Sequence, residues 1–338
     1  MSVSDAPAGP VVVEPMDPGI TSIQPGGGFC MRIELAWGYW RRWYLKTFRP
    51  GYVARMRALR RGGENRCPHE VLDPRDVKYY RNQGGYWWSE QDDPFRWRDR
   101  LPVARVGLGE VVIFGGGCFL IAAALAALWW PAALVPALAG LVVLWFFRDP
   151  PRRVPQDEGL VLAPADGKVV AVEELDDEPH VGGPAVVISI FLSLFDVHIN
   201  RAPVAARVIG LSYRPGKFLS AMRPAAAREN EQLAIRLEEK SPPHRRMVVR
   251  QISGAVARRI VCWLQPGERI ERGARIGMIK LGSRTELVLP REPGLVVEAR
   301  VGQKVRAGVS VVARFAPVAT GPGKSRGRQS PRAEESGS

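Results

Sequence analysis

GERIERGARI at residues 267–276 and GQKVRAGVSV at residues 302–311 repeat one pattern, in which glycines alternate with an Ile or Val at a constant spacing. Glycine adopts the positive φ angles of tight turns without steric cost. The pattern therefore predicts short strands that are separated by glycine turns. We interpret the four glycines as turn-forming residues that take no part in catalysis.

The sequence around this repeat, from Pro155 onward, alternates short Val- and Ile-rich runs with Gly, Pro and Asp turns, which is typical of a β domain. The candidate strands are residues 160–162, 169–172, 185–191, 206–211, 247–252 and 260–263. Glycine-spaced strands of this kind are familiar from the barrel-sandwich domains of lipoyl and biotinyl carriers. We therefore predict a mainly β (α+β) fold for residues 148–317, built on a lipoyl-like barrel-sandwich.

The 338-residue chain carries 48 Lys and Arg residues against 34 Asp and Glu residues, a formal net charge of +14. Such a basic balance indicates an acidic partner, either nucleic acid or an anionic membrane face. The four cysteines, Cys30, Cys67, Cys118 and Cys262, include no Cys-x-x-Cys pair. The sequence therefore indicates neither a disulfide framework nor a zinc site, and we predict no bound metal.

Residues 111–147 contain no charged side chain and are too long for one core helix, which predicts a membrane segment. At about 20 residues per crossing the run is long enough for two passes, and Trp129-Trp130-Pro131 near its middle suits the turn between them. Arginines flank the run on both sides, at residues 96, 98, 100 and 105 and at residues 148, 152 and 153.

By the positive-inside rule, both ends of this segment face the cytoplasm. We therefore predict a transmembrane helical hairpin at residues 106–147 in the cell membrane, with the following domain on the cytoplasmic face. A single pass kinked at Pro131 and Pro136 is the alternative, and it would place the two ends on opposite sides.

Three further regions are distinguished by their composition. Residues 1–30 are rich in Pro and Gly and predict a disordered lead, while the Gly- and Ser-rich residues 318–338 predict a disordered tail. Residues 31–105 interleave Trp, Tyr and Phe with Arg and Lys, a mixture that suits either single-stranded nucleic acid or an interfacial helix on anionic lipid. Because a membrane segment follows, we favour lipid and predict no nucleic-acid partner.

Four motifs occur in order after the start of the membrane segment. They are Phe146-Phe147-Arg148-Asp149-Pro150, Ala163-Pro164-Ala165-Asp166-Gly167-Lys168, Asp196-Val197-His198-Ile199-Asn200-Arg201-Ala202-Pro203 and Leu281-Gly282-Ser283-Arg284. A Gly-Ser step is on its own an ordinary turn. In this company, the sequence from about Phe146 to about Phe315 resembles the phosphatidylserine decarboxylase proenzymes in their short form, and the residues before it form an additional N-terminal region.

The resemblance implies a self-cleavage that turns a serine into the catalytic group. Ser283 would attack the carbonyl carbon of Gly282, and β-elimination followed by hydrolysis would leave a pyruvoyl group on the new N-terminus. This covalent pyruvate is the implied cofactor, because a decarboxylated amino acid needs an electron sink that ordinary side chains do not supply. The implied reaction converts phosphatidylserine to phosphatidylethanolamine and carbon dioxide, with the cleaved small chain, residues 283–338, as a partner of the large chain.

The same resemblance implies roles for Asp166 and His198, which match the family's positions for an orienting carboxylate and a base. Self-cleavage needs a base because serine is a poor nucleophile until its proton is removed. Longer members carry a second histidine where this chain has Arg201, so we expect His198 to act both in maturation and as proton donor in turnover. Arg201, Arg214 and Lys217 are the candidates for binding the substrate's phosphodiester and carboxylate.

Two non-catalytic alternatives share the predicted architecture. A membrane-anchored lipoyl-type carrier would use Lys168 near a predicted hairpin tip, and a membrane-anchored adaptor of an export complex would combine the anchor with a barrel-sandwich. A carrier needs neither a Gly-Ser cleavage step nor His198, and an adaptor normally shows sustained heptads, which this sequence lacks. We therefore predict the enzyme, with a phospholipid substrate, an anionic membrane and a second copy of the chain as its partners.

Overall fold

The computed structural model describes residues 12–316, apart from residues 64–66, 68, 78–85, 224, 256–258 and 281–282. Within these residues the helices are α1 (Phe29–Phe48), α2 (Pro50–Leu59), α3 (Pro74–Val77), α4 (Leu108–Glu110), α5 (Gly116–Leu128), α6 (Trp130–Phe146) and α7 (Ala226–Glu229). Turns of 3-10 helix at Glu90–Asp92, Arg96–Arg100 and Arg105–Gly107, and a π-helical turn at Val111–Gly115, lie between α3 and α5.

The described strands are mostly short and lie largely after Pro155. They are β1 (Arg61–Gly62), β2 (Tyr86–Trp87), β3 (Leu160–Leu162), β4 (Gly167–Glu178), β5 (Gly183–Leu192), β6 (Ile199–Arg201), β7 (Ala206–Arg214), β8 (Gln232–Glu239), β9 (Arg246–Ile252), β10 (Arg259–Cys262), β11 (Arg269–Ile270), β12 (Arg275–Lys280), β13 (Ser283–Pro290), β14 (Leu295–Val297), β15 (Lys304–Val305) and β16 (Val311–Phe315).

The main sheet of the described residues runs in the order β11-β7-β8-β9-β13-β5-β4-β15, with antiparallel pairing throughout. Side chains alternate along β8, where Leu233, Ile235 and Leu237 enter the core. Two three-stranded sheets, β10-β12-β6 and β14-β16-β3, contribute Ile276 and Val312 to the same core. The fold after Pro155 is therefore mainly β.

Each predicted strand overlaps an observed one, but several observed strands, including β6, β8, β13 and β14, are not among those predicted. Residues 185–191 lie within β5 and residues 247–252 within β9, and the other predicted runs overlap β3, β4, β7 and β10. The prediction omits β8, although its apolar residues repeat with the period of two that marks a half-buried strand.

The glycine repeat forms the turns expected of it. Gly267 and Gly273 precede β11 and β12, Gly302 and Gly308 precede β15 and β16, and all four have positive φ. The second turns of the two copies also touch, since a Cβ on Gly308 would lie 3.4 Å from the Cα of Gly273 and 3.0 Å from the Cδ of Arg201. Close approach of backbones therefore adds to the conformational need for glycine at residue 308.

The described part of the predicted disordered lead, residues 12–28, packs on the β domain, which corrects that prediction. Ile20 is buried in the main core, and the Glu14 amide donates to the Ile209 carbonyl at 2.9 Å. The Tyr213 amide donates to the carboxylate of Asp17 at 2.7 Å. Composition suggested disorder, but these contacts anchor the segment despite its proline and glycine content. The predicted tail at residues 318–338 lies outside the described residues.

Two apolar helices precede the β domain. The helical stretch Arg105–Leu128 is long and apolar enough to cross a membrane, and α6 is apolar but shorter. The break between α5 and α6 falls at Trp129, within the predicted turn, and Pro131 occupies the first turn of α6. A proline is favourable there because the first amides of a helix have no acceptor within the helix.

The two apolar helices pack against each other, and the chain enters and leaves the pair at one place. A Cβ on Gly140 of α6 would lie within 3.1 Å of ring atoms of Phe119 on α5, so glycine allows this close contact. Before α5 and after α6, Val103 and Arg148 form an antiparallel bridge. The Ala104 amide also donates to the carbonyl of the residue before Arg148, at 2.7 Å. The ends of the pair are therefore neighbours.

Candidate active site

Ser283 is the first residue of β13 and lies at one end of the main sheet, between β5 and β9. The side chain is fully buried, and its hydroxyl has no hydrogen-bond partner among the described residues. A buried hydroxyl without a partner is costly, which marks Ser283 as a candidate reactive group. Leu281 and Gly282, the other half of the predicted cleavage step, lie outside the described residues.

A buried polar network follows Ser283 along the same face of β13. The Asn200 Nδ2 donates to the Thr285 hydroxyl at 3.1 Å, and the Gln251 Nε2 donates to the Asn200 Oδ1 at 2.8 Å. Residues two apart in a strand point to the same side, so this network lies on the side to which Ser283 points. The Gln251 Oε1 also has no partner among the described residues, and it adds a second buried polar atom to the site.

His198 lies immediately before β6 and is fully buried. The centroid of its imidazole is 4.4 Å from that of the Phe146 ring, and burial lowers the pKa of His198 to about 4. The ring is therefore neutral at physiological pH. Its Nδ1 lies 2.9 Å from the carbonyl oxygen of Asp196, an atom that only accepts hydrogen bonds. The Nδ1 thus carries the proton, and the Nε2 keeps the lone pair of a base.

Strand pairing brings His198 and Ser283 to one edge of the fold. The Ile279 amide, just before the cleavage step, donates to the His198 carbonyl at 3.2 Å. Just after both residues, the bond between Asn200 and Thr285 ties β6 to β13. Because contacts on both sides hold the two segments together, we treat His198 and Ser283 as parts of one site.

Asp166 precedes β4, and its carboxylate is engaged by other groups. The Arg152 Nη2 donates to its Oδ2 at 2.7 Å, and the Ala307 amide donates to its Oδ1 at 2.8 Å. The imidazole Nδ1 of His198 instead faces the carbonyl of Asp196. The structure therefore gives the orienting contact predicted for Asp166 to a backbone carbonyl. Burial raises the pKa of Asp166, against the lowering effects of the Ala307 amide and of Arg152.

Arg201 is buried and bound within the protein. Its Nη2 lies 2.9 Å from the Asp149 Oδ1, and its Nη1 donates to the Gly273 carbonyl at 3.1 Å. The Asp149 Oδ2 lies 2.6 Å from the Arg275 Nε, so one buried carboxylate binds two guanidinium groups. Burial lowers the pKa of Arg201, and Asp149 compensates for that desolvation. These contacts anchor the exit of α6 to β6 and β12, which differs from the predicted headgroup role of Arg201.

Arg214 and Lys217 lie toward the same end of the main sheet as Ser283. One row of the strand register crosses β7, β8, β9 and β13 from Arg214 to Arg284. With about 4.8 Å between strands, the backbone of Arg214 is about 14 Å from β13. Lys217 is exposed and forms an ion pair with Glu229 at 2.8 Å. Both cations are thus near the site without entering it.

Comparison with known proteins relates these motifs to one family. The sequence model described as phosphatidylserine decarboxylase matches residues 139–313, more than half of the chain. A protein from Rhodopirellula baltica named phosphatidylserine decarboxylase proenzyme is 49% identical over 239 residues, which cover 71% of this chain and 99% of that protein. This chain belongs to the phosphatidylserine decarboxylase family.

Two further proteins of the same name support the family relationship. One from Symbiobacterium thermophilum is 46% identical over 198 residues, covering 58% of this chain and 90% of that protein. Another, from Desulfotalea psychrophila, is 41% identical over 216 residues, covering 64% of this chain and 98% of that protein. The matched range 139–313 contains Asp149, Asp166, His198 and Ser283, whereas α1 and α2 precede it.

Sequence reasoning missed the residues that surround Ser283 in this phosphatidylserine decarboxylase family member. Asn200 lies within a motif that carried the resemblance, but its contact with Thr285 depends on the pairing of distant strands. Gln251 interrupts the apolar face of β9 that Met247 and Val249 form. A polar side chain in such a position needs a buried partner, and that interruption was the available signal.

The neutral state of His198 determines how the rate of self-cleavage should depend on pH. Because a proton acceptor must be neutral and burial lowers the pKa of this ring to about 4, we expect a cleavage rate that changes little between pH 8 and pH 5.5. The chain is synthesised cell-free, translation is stopped, and the products are followed on gels after transfer to each pH. His244→Gln, a change at an exposed histidine, is the control.

An imidazole with the ordinary pKa of about 6.5 would give a different profile. Its neutral fraction would fall to about one tenth at pH 5.5. A cleavage rate that is halved near pH 6.5 and continues to fall below it would contradict the neutral, buried base.

Proposed function

We propose that the chain is a phosphatidylserine decarboxylase that cleaves itself between Gly282 and Ser283 and works with the pyruvoyl group formed there. Family membership supports the decarboxylase activity, in which phosphatidylserine gives phosphatidylethanolamine and carbon dioxide. The observation that carries the cleavage assignment is the buried Ser283 hydroxyl at the start of β13, which lacks a partner among the described residues.

Maturation uses the neutral base and the hydroxyl. The His198 Nε2 accepts the hydroxyl proton of Ser283 while the Oγ attacks the carbonyl carbon of Gly282. The peptide C–N bond breaks, the nitrogen gains a proton, and an ester joins the two residues. Loss of the Ser283 α-proton then expels the Gly282 carboxylate, and water hydrolyses the resulting imine to a ketone with release of ammonia. A large chain ending at Gly282 and a small chain beginning with the pyruvoyl group result.

The surroundings of Ser283 suit such a group. Thr285, Asn200 and Gln251 offer neutral hydrogen-bonding atoms, and no group of three or more His, Cys, Asp and Glu in the described parts of the chain could hold a metal ion. Once formed, the pyruvoyl group supplies the electron sink that decarboxylation requires. We assign to His198 the return of a proton to the substrate α-carbon. Because the ring is neutral near pH 7, its Nε2 first takes that proton from water and then passes it on.

A cavity of about 490 Å³ between the apolar helices and the β domain is our proposed entrance for the lipid. It is lined by Val143 and Phe146 of α6, by Leu194, and by Lys280 just before the cleavage step. Phe146 also contacts His198. A phospholipid that moves along the apolar helices would thus reach the Phe146 ring that packs on the imidazole through a largely apolar cavity.

The loop between β7 and β8 is our proposed contact for the headgroup. Arg214 ends the strand before it, the loop itself carries Lys217, and its Met222 is 69% exposed. Asn230 at the base of the loop donates to the carbonyl of Ser253 at 2.7 Å. The base of the loop is therefore held at the sheet edge where cleavage occurs, and two cations stand near the path of an anionic headgroup.

We propose that α5 and α6 form a transmembrane hairpin with both ends on the cytoplasmic side. The bridge between Val103 and Arg148 supports this topology, since the chain enters and leaves the pair at the same place. Arginines near both ends favour the cytoplasmic face. The exposed aromatic residues of α1, among them Trp37, Trp40 and Trp43, suit contact with an anionic membrane surface.

We also propose that the β domain is a lipoyl-like barrel-sandwich. The touching glycine turns at Gly273 and Gly308 support a lipoyl-like barrel-sandwich, and a second copy of the chain is a proposed partner. The alternative of a carrier acylated on Lys168 shares that architecture, and Lys168 is exposed on β4. A carrier needs neither a buried, unpartnered serine at residue 283 nor a buried, neutral histidine at residue 198, so the enzyme accounts for more of the structure.

Ser283→Ala tests the cleavage assignment. We expect the unmodified chain to appear in denaturing mass spectrometry as two fragments, the smaller one starting with pyruvoyl at residue 283 and resistant to Edman degradation. Ser283→Ala should remain one chain without decarboxylase activity, because it lacks the nucleophile. Ser212→Ala, at a half-buried serine in β7, is the control and should cleave normally.

The same spectra separate the alternatives. An intact parent chain with an acylated lysine would support a carrier, and an intact unmodified chain would support an adaptor. An active, uncut Ser283→Ala would sink the assignment of Ser283.

Reporter tags at both ends test the hairpin. We expect a reporter fused before residue 1 and one fused after residue 338 both to indicate the cytoplasm, and the protein to resist carbonate extraction from membranes. Reporters on opposite sides would show a single kinked pass, and extraction by carbonate would contradict membrane insertion.

A further inference from the structure

A groove of about 1120 Å³ lies between α1 and the start of the first apolar helix, outside the family match. Its apolar lining includes Trp37, Trp40, Leu101, Val112 and Ile113. Val112 and Ile113 belong to the stretch Arg105–Leu128, which is long enough to cross a membrane. Tryptophans beside the end of a membrane helix are typical of the interface between headgroups and acyl chains, which is where this groove would lie.

Four arginines converge at one end of the groove, and two of them are balanced by acids. Arg41 pairs with Asp73, and Arg105 pairs with Asp93 at 2.8 Å and with Asp99 at 2.9 Å. The other two lining arginines are Arg75 and Arg98.

Arg75 and Arg98 form no ion pair with any residue that the structure describes. Arg75 is only 8% exposed, and its Nη1 is buried without a hydrogen-bond partner within the described ranges. Arg98 lies over the Phe95 ring at 4.5 Å from the centroid. Burial lowers its pKa, the nearby Arg105, Arg75 and Arg41 add to that effect, and Asp93 opposes it only in part. A buried guanidinium without an anion is energetically costly, so this end of the groove is suited to an anionic ligand.

A second cavity, of about 410 Å³, meets the groove at the same arginines. Arg75, Arg98 and Arg105 line both, whereas the apolar tryptophans line the groove alone. Glu34 also lines the groove, beside Gly109, and its carboxylate disfavours a phosphate near Gly109. An elongated ligand would therefore place its apolar part along the groove and its anionic part on Arg75 and Arg98.

We propose that this groove binds one anionic phospholipid at a site separate from the catalytic centre, with the phosphodiester on Arg75 and Arg98 and an acyl chain against Trp37, Trp40 and Val112. Guanidinium groups match phosphate oxygens in charge and geometry. The proposal rests on the membrane placement proposed above and not on decarboxylation. Its consequence is that the additional N-terminal region recognises the lipid that surrounds the enzyme.

The test uses the full chain in nanodiscs of phosphatidylcholine that contain a small fraction of phosphatidylglycerol with a photoactivatable diazirine on its acyl chain. After illumination, mass spectrometry maps the labelled peptides. We expect labelling of the peptides with Trp37 to Trp43 and Leu108 to Ile113. The double variant Arg75→Gln and Arg98→Gln should reduce it about tenfold or more, since two charge-assisted hydrogen-bond sets are lost.

The matched controls are Arg96→Gln and Arg100→Gln, which remove exposed arginines from the same 3-10 turn and should leave labelling unchanged. A phosphatidylcholine probe with the same diazirine should label these peptides much less. Equal labelling by both probes, or unchanged labelling in the double variant, would overturn the proposal. If the double variant does not fold, the single variant Arg98→Gln is used instead, because Arg98 is partly exposed. Unchanged labelling in this single variant would also overturn the proposal. Labelling needs no turnover, so failure of the decarboxylase assignment would be seen separately in the activity assay.

Discussion

Burial of His198 against Phe146 is the contact on which the rest of the site depends. Phe146 ends α6, so the imidazole packs directly on the end of the apolar helix pair. The same burial lowers the pKa of His198 to about 4, and the Asp196 carbonyl then determines which nitrogen carries the proton. Docking of the helix pair thus buries the imidazole and keeps it neutral, which is the state that the proposed base for Ser283 requires.

Ion pairs also join the end of α6 to the β domain, three residues after Phe146. Asp149 follows α6 and binds both Arg201 of β6 and Arg275 of β12. Removing one partner of a buried ion pair leaves an uncompensated charge and is strongly destabilising. Lys280 of β12 also pairs with Glu110 at the start of the apolar helices. The β12 strand that leads toward Ser283 is therefore tied to both the entry and the exit of the apolar helix pair, so these helices contribute to the architecture of the candidate site.

The parts of the fold that depend on local sequence were predictable, and the parts that depend on the choice between distant partners were not. Positive φ at Gly273 and Gly308 follows from a local requirement for glycine, and the apolar runs predicted β3, β4, β5, β7, β9 and β10. The partner of Asp166 was not predictable, because Arg152, the Ala307 amide and His198 were all chemically acceptable and only the three-dimensional arrangement selects the first two. The partner of Arg201 was not predictable for the same reason: the sequence shows a cation, but not the buried Asp149 that binds it.

The central claim, that the site holds His198 as a neutral base with its proton on Nδ1, is tested most directly by nitrogen NMR. The Ser283→Ala chain, labelled with ¹⁵N-histidine, has only four histidines, and comparison with the further variant His198→Gln assigns the signal. We expect the His198 resonances to show the Nδ1–H tautomer and to remain those of a neutral ring from pH 8 down to about pH 5, since the pKa of His198 is about 4. An Nε2–H tautomer, or titration with a pKa near the ordinary value of about 6.5, would contradict the account.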